Sequence, residues 1–190
     1  MSYQVITPPT TYPVTVGDLK EHCRIDTNDD DVYLQSLIEV ATSNLEAFAW
    51  RSFMTQTVEV SLDGFPCWEL ILPRGKVQSV TSITYIDTAG DEQTLSSAEY
   101  IVDTKSDIPR ITPAYGYTWP STQCRINAVT ITIISGFGST ASSVPDAIRH
   151  AVMLLAADFY NNREGHSDLK LEAIPFGIKS LVQPYRVNQT

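Results

Sequence analysis

Twice along this chain the spacing of apolar residues changes period. Leu34, Leu37, Ile38, Ala41, Leu45, Phe48 and Ala49 recur at three and four, which places them on one face of a helix ending near Arg51. From Thr55 the period falls to two. TVEVSLDGF alternates, WELILP is a short apolar run, and KVQSVTSITYID, AEYIVD and AVTITIISGF are rich in β-branched residues, predicting five or six strands. A helical pattern returns after Ser143. Two helical segments far apart in sequence each have an apolar face to bury, so they are expected to pack together around an inserted β region.

The helix ends carry their own signals. Thr15 followed by Asp18 is a capping box that starts a short helix running to about His22. Asp29, Asp30 and Asp31 stand where the next helix N-terminus carries partial positive charge. Ser143 and Asp146 repeat the capping spacing, with Pro145 in the first turn. That last helix is expected to end near Glu164, with Gly165 in the terminating left-handed conformation. The opening ITPPTTYPVT is expected to be extended because of its prolines. RITPAYGYTWPSTQ, between the last two strands, suits a long ordered loop.

The resulting fold class is α+β. A small helical bundle of two N-terminal helices and one long C-terminal helix (residues 1–54 and 142–168) carries an inserted antiparallel β domain (55–141) and an extended C-terminal arm (169–190). The arm shows no helical period. Pro175 and Pro184 interrupt it, and Ile174, Phe176, Ile178, Leu181 and Tyr185 are apolar anchors along it. It reads either as a peptide that orders in a partner's groove or as a strap across its own domain.

Charge and composition exclude several function classes. The chain has 190 residues and a net charge of −9, which opposes nucleic-acid affinity built on clustered Lys and Arg. Residues 1–50 hold eight acids and two bases, whereas 169–190 hold one acid and three bases: acid at the front, base only in the tail. No stretch reaches the roughly 18 to 20 apolar residues of a membrane span. MSYQVITPPTTYP lacks a signal-peptide pattern, so synthesis in a cytoplasm is expected. Cys23, Cys67 and Cys124 form no CxxC pair and read as reduced core residues.

Candidate chemistry is sparse. Asp26-x-Asn28-x-Asp30 imitates a calcium loop but places Asp31 where Gly must turn and Leu37 where a bidentate Glu should close the shell. Gly136-x-Gly138-x-x-Ala141 imitates a dinucleotide fingerprint, but the following helix opens too late to meet a pyrophosphate. Asp146 and His150, four apart, supply two metal ligands where three are needed; neither His22 nor His166 stands at a recognisable spacing from them. Asp158, Arg163 and Glu164 read as the charged end of a helix. No cofactor, metal or catalytic residue is expected.

The positive signal is an apolar belt. Residues 151–157, Ala-Val-Met-Leu-Leu-Ala-Ala, cover nearly two helical turns and so face every direction. The β insertion or another copy of the chain must cover the side that its own bundle leaves bare, and the spacing leaves both open.

PVTVGDLKEHCRID, DDDVYLQSLIEVATSNLEAF, MTQTVEVSLDGFP, LPRGKVQSVTSITYID, VPDAIRHAVMLLAADFYNNRE and IPFGIKSLVQPYR, in this order, resemble the head–tail connector (adaptor, or head-completion) proteins of tailed bacteriophages, prophages and gene-transfer particles. Cys23, and Trp50-Arg51 in place of a smaller turn-like pair, depart from the pattern.

The resemblance implies a structural virion protein of the neck, assembled in the host cytoplasm without membrane contact. It implies a ring of about twelve subunits beneath the portal, extending the DNA channel and offering the tail a docking surface. Partners would be the chain itself, the portal, and a tail or stopper protein, with DNA passing through unbound. Ile174, Phe176, Ile178, Lys179, Leu181, Tyr185 and Arg186 would form the portal-binding arm. Ala151, Val152, Leu154, Leu155 and Phe159 would form the subunit or core belt, and Asp29, Asp30 and Asp31 an acidic collar. A tail-completion ring of the same neck is the alternative, followed by a metal-dependent hydrolase or nuclease around Asp146 and His150.

Overall fold

The computed structural model describes residues 2–106, 108–163 and 174–187. The chain divides into two units: Met1–Pro9 with Thr55–Phe137, and Thr10–Met54 with Gly138–Thr190.

The second unit is helical. Helix α1 (Val16–Cys23) starts with the capping box read from the sequence. Asp18 N–H donates to Thr15 Oγ1 at 3.1 Å, and Thr15 N–H donates to the Asp18 carboxylate at 3.0 Å. The backbone bond first, then the Thr15 hydroxyl, holds the Asp18 carboxyl below its ordinary range. Helix α2 (Asp31–Ala49) buries Leu34, Leu37, Ile38, Ala41, Leu45 and Ala49, the predicted stripe apart from half-buried Phe48. It ends at Trp50 in the left-handed region, φ 53°.

Helix α3 (Asp146–Asn161) begins without the Ser143–Asp146 box. Residues Ala141–Ser143 instead form a short 3-10 turn, in which the Ser143 hydroxyl bonds the Thr140 hydroxyl at 2.9 Å. A Cβ on Gly138 would collide with the Ser143 side chain, so close approach to this turn demands glycine there.

The C-terminal segment corrects an expectation. Residues Phe176–Val182 form helix α4, followed by a 3-10 turn at Gln183–Tyr185, where extended chain was predicted. Pro175 sits at the helix start, where its ring is tolerated, and does not break it. Ile178, Leu181 and Val182 recur at three and four, a helical period too brief to stand out. Seven residues make a helix only marginally stable alone. Here α4 packs on α3, and Val187 N–H donates to the Ala49 carbonyl at 3.0 Å, tying the segment to the last turn of α2. The predicted arm residues 169–173 and 188–190 lie outside the described residues, as do Glu164, Gly165 and His166.

The first unit is antiparallel β. Its strands are β1 (Ser2–Thr7), β2 (Gln56–Leu62), β3 (Leu70–Ile71), β4 (Val77–Ile86), β5 (Glu92–Thr94), β6 (Tyr100–Asp103), β7 (Arg110–Pro113) and β8 (Val129–Ser135). They form a five-stranded sheet in the order β1-β2-β8-β4-β5 and a three-stranded sheet in the order β3-β7-β6. In the central strand β8, alternate residues are buried, and Ile131 and Ile133 face Val60 and Val58 of β2. Leu70 and Ile111 of the smaller sheet join the same buried cluster. Residues 2–9 therefore group with the β unit and not with the helices: Val5 pairs with Val58, and the SYQVIT run supplies the edge strand. Between β4 and β5, the Asp87 carboxylate accepts the backbone N–H groups of Ala89, Gly90 and Asp91, and Gly90 takes φ 97° in the turn.

Candidate assembly surfaces

The apolar belt on α3 finds its cover inside its own unit. Ala151, Val152, Leu155 and Ala156 are 0% exposed, and α1, α2 and α4 pack against α3. For Ala151, Val152, Leu155 and Ala156, packing within the helical unit supplies the cover. Three helices of one unit surround α3, because α4 adds the wall that the sequence pattern concealed. Leu154 and Phe159, with Met153, remain half-buried.

Two members of the acidic triplet make ion pairs within the helical unit. The Tyr160 hydroxyl donates to the Asp30 carboxylate at 2.8 Å, and Arg163 Nη2 pairs with the same carboxylate at 3.1 Å. The Arg163 guanidinium lies over the rings of Tyr33 and Tyr160, at 4.8 and 4.9 Å. The bond to Asp30 raises the Tyr160 pKa above its ordinary value. Lys20 Nζ pairs with Asp31 at 2.9 Å. Asp29 alone of the three is exposed. Two of the three aspartates are thus paired with cations of their own chain.

The candidate metal pair is not assembled. Asp146 pairs with Arg149 at 3.2 Å, and His150 meets the His22 ring edge-on at a centroid distance of 6.2 Å. Among the described residues no group of three His, Cys, Asp or Glu side chains is placed to hold an ion. Asp158 accepts from the side chain of Asn162 at 2.9 Å, a local helix-end contact. Cys67 and Cys124 are exposed and Cys23 half-buried, so the reading of all three as core residues is corrected.

The candidate arm residues divide into two sets. Ile178 is buried, and Ile174, Lys179, Leu181 and Tyr185 are half-buried on α4 and its flanks. Packing against the helical unit takes up the apolar anchor Ile178 that an arm would offer a partner. Phe176, 81% exposed, and Arg186 face outward. Arg186 lies over the Phe48 ring at 5.1 Å, and together with Lys179, Gln183 and Pro184 these residues line a groove of about 490 Å³. Sequence reasoning missed Phe48 as a surface residue because its spacing matches the core stripe.

A second outward surface lies on the smaller sheet. Trp68, Ile71 and Ile101 are exposed around Arg110, which pairs with Glu69 and Asp103 at 3.4 Å each. The Ser106 hydroxyl, then the Lys105 and Ser106 N–H groups, and finally Arg110 hold the Asp103 carboxyl down to about 2. No spacing signal announces this patch, since its residues come from three strands and a loop.

Residues 13–186 match the model of the phage gp6-like head-tail connector protein family. No curated protein matches the sequence. Among solved structures, a chain of the neck of an empty gene transfer agent particle, computed with C6 symmetry, is 24% identical with a TM-score of 0.84. A chain of the virion of a native gene transfer agent particle is 24% identical with a TM-score of 0.82. A chain of the native particle's neck, computed with C12 symmetry, is 23% identical with a TM-score of 0.81. Each alignment covers 100% of this chain and 97% of the other, so the fold is shared across both units. With a family match that spans both units and the C-terminal helix, this chain belongs to the phage gp6-like head-tail connector family.

Proposed function

We propose that the protein is a structural subunit of a ring in the neck of a tailed-phage or gene-transfer particle, lying between portal and tail. The observation that carries this reading is the family match from residue 13 to 186, with fold likeness along the whole chain to proteins in neck particles computed with C6 and C12 symmetry. A ring of about twelve copies accords with the latter symmetry. Each chain carries a net −9, so the assembly is strongly negative even with Asp30 and Asp31 paired internally, and packaged DNA would slide past it without adhering. The particle's portal protein is the expected partner on one side and a tail or stopper protein on the other.

Native mass measurement and negative-stain imaging of the chain, alone and with the portal protein of its particle, test this. A closed ring on the portal is the expected result; a chain that stays monomeric in the presence of portal overturns it.

A further inference from the structure

We propose that the groove at the C-terminal end of α2 is an interface between copies of this chain, and that its occupant is the tip at the N-terminal end of α2 of the neighbouring copy. This rests on the ring reading above and names the contact that closes the ring.

The two surfaces complement one another in shape and charge. The groove, about 490 Å³, is lined by the Phe48 and Phe176 rings together with Lys179, Gln183 and Arg186. At the other end of the helix, Val32 projects from the first turn, 87% exposed. Asp26 and Asp29, both exposed, precede it. An apolar knob flanked by carboxylates fits an apolar slot flanked by cations, and the charges set which way round the contact forms. Asp30 and Asp31 are held by Arg163 and Lys20, so Asp26 and Asp29 are the carboxylates the tip presents.

The tip cannot fill the groove of its own chain. Val32 and Phe48 lie on one continuous helix, α2, and 16 residues of rise separate them by about 24 Å. The contact is therefore between different patches on two copies, the heterologous kind that repeats until a rotation closes it into a ring. The same polarity runs through the whole sequence, with acids concentrated before residue 51 and net base only after residue 168. Docking front to tail lets subunits of −9 sit side by side with opposite charges in contact.

The test is a disulfide ladder in the full chain, assembled with its portal protein. In a background of Cys67→Ser and Cys124→Ser, the pair Val32→Cys and Phe176→Cys is oxidised and run on a non-reducing gel. Both positions are largely solvent-exposed, so the substitutions leave the fold intact. The expected result is a ladder of dimers, trimers and higher species, with each single variant remaining monomeric on the gel. Benzoylphenylalanine at position 176 provides the second arm, and photo-capture is expected to yield the peptide containing Val32 from another copy. Rings seen by negative stain without a ladder overturn this interface and leave the ring reading standing. Capture of a portal or tail peptide likewise assigns the groove to another occupant. Absence of rings even with portal present overturns both.

Discussion

The hydroxyl of Tyr160 donates a 2.8 Å hydrogen bond to the carboxylate of Asp30, joining the last turns of α3 to the residue that precedes α2. Arg163 completes the clasp by pairing with that carboxylate while lying over two tyrosine rings. Asp30 is thereby a structural tie between α3 and the start of α2. Asp30→Ala and Tyr160→Phe are each expected to lower the melting temperature, and their effects are expected to be non-additive, because both remove the same hydrogen bond. A double-mutant cycle by thermal melting checks this; strictly additive losses would show that the two groups act independently.

Leu155 and Leu154 are adjacent in sequence and opposite in environment, the first fully enclosed and the second half-buried. Leu155→Ala is expected to cost about 2–5 kcal/mol of monomer stability, the usual range for a cavity in a packed core. Leu154→Ala is expected to cost clearly less. Denaturant unfolding of the two variants reads the difference, and equal losses would contradict the enclosure of α3 by its own unit.

Two serine/threonine positions share a capping spacing and differ in what they do. Thr15→Ala removes the acceptor for Asp18 N–H and is expected to cost about 1 kcal/mol. Ser143→Ala leaves the start of α3 as it was, since that hydroxyl bonds Thr140 and not the helix, and is expected to be close to neutral. Chemical denaturation of both variants decides; a Ser143 loss as large as that of Thr15 would restore the second capping box.

Asp103 titrates at about 2 in the folded chain, below the ordinary carboxyl value of 3.8. A carboxyl depressed on folding stabilises above its unfolded pKa and loses that contribution as pH falls through the folded one. Its share of stability is therefore present at pH 5 and lost between about pH 4 and 2. Asp103→Asn is expected to flatten the acid limb of the stability curve in that window while leaving it parallel to wild type above pH 5. Melting temperatures across pH 2–6 provide the check, and an unchanged acid limb would refute the contribution.

Much of this architecture was legible from spacing. The buried stripe of α2, the Thr15 capping box and the alternation of β2 and β8 are local patterns, in which each residue's environment follows from its neighbours three, four or two positions away. The short helix α4 was hidden because its single apolar triplet sits between two prolines, and its stability comes from docking on α3. β1 was hidden for a similar reason: a six-residue extended run takes its partner from β2, some fifty positions later.

The surfaces were less legible than the core. Half-buried Phe48 obeys the same helical spacing as buried Leu45, and only the position of α4 and Arg186 makes it part of a groove. Asp29, Asp30 and Asp31 are three identical residues in a row, yet Arg163 and Lys20 engage two of them and leave the third exposed.

The sequence alone determined the α+β class, the placement of a strand-rich segment between helical ones, and the front-to-tail gradient of charge, because these depend on periodicity and residue counts. Tertiary structure alone decided which apolar residues of α3 are covered by the chain itself, which aspartates keep their charge available, and how α4 shapes a groove beside α2. Those outcomes depend on tertiary contacts, some of them, such as Arg163 with Asp30 and Arg186 with Phe48, between residues more than a hundred positions apart, and no local pattern encodes where such partners come to rest.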